Sequence, residues 1–148
     1  MTLKLSLTFL MVAIVGACGA PDGPPLEVSG VAVLEPLPGT DVTAGYLRLD
    51  NNTDQSIEIA KVASPQFRRV DIHETVIQDD IARMVPVAPL VIDPRSHVLF
   101  EPAGKHLMMS GWSSEPIAGA PVTIEVHYNT NGLLIVATTV SSRDAVTE

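Results

Sequence analysis

From residue 28 to residue 140 the chain is a succession of short apolar runs that alternate with polar residues at every second position. Each run is broken by Pro, Gly, Asn or Asp. Period-two alternation is what a strand with one buried face requires, and no long stretch carries the 3.6-residue period of an amphipathic helix. Strands are predicted over residues 28–34, 44–50, 56–62, 70–77, 81–87, 95–101, 121–128 and 133–140. Residues 70–77 and 81–87 read as a hairpin, and Ile57 and Ile59 share one face of their strand. Seven or eight short strands at this spacing predict an all-β fold, an antiparallel Greek-key barrel or sandwich. With one Trp, two Tyr and three Phe, the core falls to Val, Ile, Leu and Ala, and no aromatic platform is available to stack bases or sugars.

The first 17 residues stand apart. Lys4 precedes a nearly continuous apolar run over residues 5–15, too short to span a bilayer and suited to a signal-peptide core. Val15-Gly-Ala-Cys18 resembles a bacterial lipobox, which implies cleavage before Cys18 and lipidation of its sulfur. Residues 18–27, rich in Gly and Pro, read as a flexible tether, residues 28–140 as one domain, and the polar residues 141–148 as a frayed tail. Cys18 is the only cysteine, so neither an intrachain disulfide nor a thiolate metal site is available to the domain. Net charge is −8, and loss of Lys4 with the leader makes it −9. A balance this acidic argues against nucleic acid and against a polybasic membrane contact.

Four residues combine into a candidate metal site: His73, Met84, His106 and Met108, in the pattern His-x10-Met-x21-His-x-Met. Two imidazoles with two thioethers form a soft donor set that suits Cu(I) far better than Mg, Ca or Mn. If the hairpin turn is centred between Gln78 and Asp79, His73 lies directly opposite Met84, and Glu74 faces Arg83 as a cross-strand ion pair. His106 and Met108 sit at i and i+2, so extended backbone points both the same way. They follow a predicted turn at Pro102-Ala-Gly-Lys105, and Met109 then points away, toward core or rim. His97 and His127 have no partner at useful spacing, and Trp112 is expected at the core or the rim.

At these four positions, and more broadly over residues 44–128, the chain resembles the periplasmic copper-A chaperones, the PCu(A)C family. The shared segments include Gly45-Tyr-Leu-Arg-Leu-Asp-Asn-Asn52, Val70-Asp-Ile-His-Glu74, Met84-Val-Pro-Val87 and Gly104-Lys-His-Leu-Met108. Thr75 stands where many members carry a methionine. The resemblance implies a cupredoxin-like β-barrel, one Cu(I) held by His73, Met84, His106 and Met108, and copper delivery to respiratory oxidase assembly. The acceptor it implies is a copper-accepting oxidase subunit or an assembly factor.

The donor chemistry suits a carrier outside the cytoplasm, where thiolates oxidise and thioethers form no disulfides. Only the imidazoles compete with protons, so release is expected to ease below about pH 6. A blue-copper electron-transfer centre needs a thiolate that the domain lacks. No nucleophile–base motif, catalytic carboxylate pair or phosphate-binding glycine loop is found, so the chain reads as a non-enzyme. The leading expectation is a monomeric copper chaperone, tethered to a membrane of the cell envelope through lipid at Cys18. A copper storage or resistance module and a metal-free envelope scaffold are the alternatives.

Overall fold

A computed structural model describes residues 23–146. The expected leader and the lipidation site at Cys18 lie outside these residues. Ten strands follow in order: β1 (Leu26–Leu34), β2 (Val42–Asn51), β3 (Ile57–Ala63), β4 (Phe67–Gln78), β5 (Ile81–Pro86), β6 (Leu90–Ile92), β7 (His97–Phe100), β8 (Lys105–Trp112), β9 (Pro121–Tyr128) and β10 (Gly132–Ser141). Two were not expected as strands. Leu90–Ile92 is three residues long, too short for an alternation to register. Lys105–Trp112 breaks the alternation with Leu107 buried beside His106. Leu26 and Glu27, expected to be tether, already belong to β1, and Leu26 is buried. At the other end Ser141 closes β10 and Arg143–Val146 forms a 3-10 turn, where the sequence predicts fraying.

The strands form one open, mostly antiparallel sheet in the order β5-β4-β8-β7-β2-β1-β10-β9-β3-β6, with β8 also pairing β2. A parallel contact between β1 and β10, at Val33 with Val140 and Leu34 with Ser141, joins its two halves. The halves fold over a common core because their strands alternate. On β2 the residues Thr43, Gly45, Leu47, Leu49 and Asn51 face inward, and on β9 Val122, Ile124 and Val126 do so. Ile57, Ile59, Leu107, Met109 and Phe100 complete the centre. Each such aliphatic side chain contributes about 1.5–3 kcal/mol by leaving water.

Two local devices anchor the two ends of β2. A Cβ on Gly45 would lie 3.1 Å from the Met109 sulfur and 3.3 Å from the Leu107 Cβ, so glycine there lets β2 and β8 approach closely. Asn51, 2% exposed, holds the opposite end of β2. Its Nδ2 donates to the carbonyls of Gln55, Ile92 and Asp93 at 2.7, 3.1 and 3.0 Å. Its Oδ1 accepts from the Thr53 amide and hydroxyl.

The hairpin register differs from the expected one. The turn residues are Asp79 and Asp80, both with positive φ (52° and 59°), and Gln78 pairs with Ile81. A two-residue turn of this type needs left-handed backbone at both positions, which Asp tolerates better than Gln. Every pair therefore moves by two: His73 lies opposite Pro86, and Met84 lies opposite Thr75. A shift of two keeps each side chain on its face. The expected Glu74–Arg83 ion pair is absent for the same reason. Glu74 instead accepts from Lys105 Nζ across the β4–β8 boundary at 2.7 Å.

Candidate metal centre

Strands β5, β4 and β8 lie side by side, and their alternation decides what shares a face. His73 on β4 is paired directly with His106 on β8. The two rings lie 6.2 Å apart between centroids, tilted by 36°. Met108, two residues on, pairs with Asp71 of β4 on one side and Ala44 of β2 on the other. Met84 enters from β5, one pair diagonal to His73, a separation of about 7–8 Å between backbones that a long thioether spans. The four residues thus project from three adjacent strands toward one face.

Met84, His106 and Met108 line a hollow of about 220 Å³, with Thr75, Tyr46 and Ala44 beside them. Leu37, Thr40, Val42, Ala103 and Arg143 contribute the rest of its wall with Thr43. Among the described residues neither a carboxylate nor a thiol lines it. His73 is outside this lining and enters the group through its ring contact with His106. Tyr46 and Arg143 were not anticipated. Tyr46 was legible in principle, because it alternates with the inward-facing Gly45 and Leu47. Arg143 was not, because only the fold brings the turn after β10 to the hollow.

The histidines carry the clearest chemical sign. His106 is 7% exposed, and its Nδ1 lies 3.0 Å from the Gly104 carbonyl oxygen. A carbonyl only accepts, so Nδ1 holds the proton and Nε2 presents its lone pair. Orienting a ligand imidazole through its second nitrogen is the usual support for a metal site. On His73 the Nδ1 is buried with no hydrogen-bond partner, a costly state for a polar atom that a metal ion would relieve. Among the described residues no three of His, Cys, Asp and Glu come together to hold a metal, and the soft side chains nearest the two imidazoles on this face are the thioethers of Met84 and Met108.

The remaining candidates sit elsewhere. Met109, beside Met108, is fully buried in the core, as its alternation predicts. His97 lies on β7 opposite Asp50, and His127 lies on β9, 3.7 Å from Glu125. Trp112 packs edge-on against Phe67 at 6.3 Å, away from the hollow.

Residues 26–140 match the family model of LpqE-like lipoproteins. The chain belongs to the LpqE-like family. A relative, the uncharacterized protein RP573 of Rickettsia prowazekii (strain Madrid E), is 26% identical over 95 residues. The match covers 64% of this chain and about half, 52%, of that protein. Among solved structures, DR1885 of Deinococcus radiodurans with Cu(I) is 27% identical with a TM-score of 0.64, covering 87% of this chain and 84% of that one. Its apo form gives 25% identity and a TM-score of 0.61, covering 97% and 96%. The copper-bound PCuAC domain from PmoF2, at 18% identity and a TM-score of 0.66, covers 80% and 94% and shows the fold alone. The PCu(A)C resemblance read from the motif, and the cupredoxin-like all-β fold it implies, are borne out by these neighbours of the LpqE-like chain.

Proposed function

We propose that this protein binds one Cu(I) through His73, Met84, His106 and Met108 and passes it to another protein by ligand exchange. The observation that carries the reading is the convergence of two paired imidazoles and two thioethers on one face of β5-β4-β8, with the His106 Nε2 left free. This donor set favours Cu(I) over Cu(II) and over hard cations. The copper-bound neighbours support it, since the PmoF2 domain and DR1885 are seen with copper in this fold. Met84 is 65% exposed, so one of the four ligands is already at the surface, where an incoming donor would replace it.

Four protein donors leave no open position for a substrate, which favours a carrier over an enzyme. The family's description as lipoproteins supports an envelope location, with Cys18 as the lipidated anchor. The PCu(A)C resemblance supports a copper-accepting oxidase subunit, or an assembly factor that serves it, as the acceptor.

Anaerobic Cu(I) titration of the purified protein against a chromogenic chelator tests the site. One tight equivalent is expected in the parent and none in a Met84→Ala, His106→Ala double variant. Equal, weak binding in both returns the chain to a metal-free scaffold. Loss of oxidase activity at low copper in cells lacking the protein is the expected sign of the acceptor.

A further inference from the structure

The two ends of the open sheet are finished differently. At one end β6 is three residues long and stands between Pro89 and Pro94. A short strand flanked by prolines is a usual way to blunt an edge. At the other end β5 is six residues long, and Ala82 and Met84 are exposed on it. Lysine is absent from it, and only Pro86 at its end interrupts its donors.

The hairpin register fixes which backbone groups of β5 remain free. The Val87 amide donates to the Ile72 carbonyl, so pairs whose residues sum to 159 alternate in hydrogen bonding from there. Ile81, Arg83 and Val85 therefore turn their amides and carbonyls toward β4. Ala82 and Met84 turn theirs outward, and Pro86 turns out a carbonyl alone. In agreement, the Thr75 amide, opposite Met84, points away from β5 and donates to Gly104. Met84 thus presents its thioether to the hollow and its backbone to the open edge.

We propose that the copper-exchange partner docks by adding an extended segment to β5, hydrogen-bonding to Ala82 and Met84; this rests on the copper-transfer reading above. Adjacent strands lie about 4.8 Å apart, and residues directly opposite place their Cβ atoms about 5 Å apart. A donor side chain opposite Met84 on the hollow face is then within exchange distance of the same copper. Main-chain pairing supplies affinity in this mode, and alternate side chains supply choice of partner. Ile77, 78% exposed beside Ala82, offers an apolar contact on the hollow face. The occupant is a net-cationic segment with its own thioether or imidazole. Asp79 and Asp80 at the start of the edge have no ion-pair partner among the described residues, against one cation, Arg83, on β5. The chain as a whole carries −8, which disfavours a second copy of itself.

The test uses a synthetic nine-residue peptide of alternating Val and Thr with one Met, one His and a Lys at each end. Its control is the same peptide with alternate backbone amides N-methylated, which keeps donors and charge and removes strand pairing. On the copper-free protein, amide NMR shifts at Ala82 and Met84 are expected with the first peptide and not with the second. Cu(I) transfer to the first is expected to be about tenfold faster, through the raised local concentration of its donors. Ala82→Pro removes one outward amide and no bond to β4, so it should erase the peptide effect and keep the copper equivalent. Unmoved Ala82 and Met84 amides, or equal shifts with both peptides, would overturn the proposal. A protein that takes up no Cu(I) sinks the proposed function instead, whatever the peptide does.

Discussion

Met108 and Met109 are neighbours in sequence, yet they belong to different regions of the molecule. Met109 lies in the core with Leu107, touching the close approach of β2 and β8 at Gly45. Met108 lies on the opposite face of the same strand, at the hollow with Met84 and His106. The core region behaves as the hydrophobic effect dictates, with Ile124, Val126 and Met109 removed from water. The β5-β4-β8 corner does not, since Met84 and Ile77 stay exposed there although burial would stabilise the fold. Packing gives no reason for a flexible, apolar side chain held in water beside two paired imidazoles, and the proposed copper site gives one.

Substitutions at the two methionines give the largest expected effect on this contrast. Met109→Ala should lower stability by about 2–5 kcal/mol, the range for truncating a buried Met, with the midpoint of chemical denaturation as the readout. A cost of that size from Met108→Ala instead would erase the distinction between the regions. Next comes the device that fixes the blunt end of the sheet. Asn51→Ala leaves the carbonyls of Gln55, Ile92 and Asp93 without their donor and should cost about 1–3 kcal/mol, read by the same denaturation. Faster amide exchange over Leu90–Ile92 should accompany it, and no change at Met84.

Met84→Leu sharpens the comparison from the other side. Its side chain is exposed, so stability should stay within about 0.5 kcal/mol of the parent, while Cu(I) binding weakens clearly in chelator competition. Parallel loss of both would mean that Met84 is structural.

The smallest effect concerns acid. The side-chain hydrogen bond from Arg48 holds the Asp50 carboxyl below its ordinary value of 3.8, helped by charge from Arg48 and His97. A carboxylate lowered in the folded state contributes stability above its unfolded pKa and loses it as pH falls through the folded one. The parent should therefore lose a small margin below about pH 3.8 that Asp50→Asn does not lose, seen in thermal melts between pH 5 and about 2.5. Because this pair lies outside the hollow, copper binding by Asp50→Asn at neutral pH should match the parent.

Alternation on the longer strands was legible because a side-chain period of two needs only local sequence to appear. Residues 121–128 match β9 fully, and Ile57 and Ile59, read as sharing one face, are both buried. Leu90–Ile92 was not legible, because three residues between prolines carry too little pattern. The hairpin shows where the boundary falls. Sequence placed His73 and Met84 on facing strands, but the choice of Asp79-Asp80 for the turn moved the register by two and put Pro86, not Met84, opposite His73, while β8 brought His106 to the other side of His73. The donors survived that correction because a shift of two preserves the face.

The sequence by itself determined the strand-rich class, the donor chemistry of His73, Met84, His106 and Met108, and the face on which each pair lies. These follow from residue type and from local periodicity. Tertiary structure alone decided that β8 would lie against β4, that Tyr46 and Arg143 would join the hollow, and that β5 would be left as an edge. Strand order is set by long-range pairing, which brings together residues far apart in the chain and leaves no period in the sequence to reveal it.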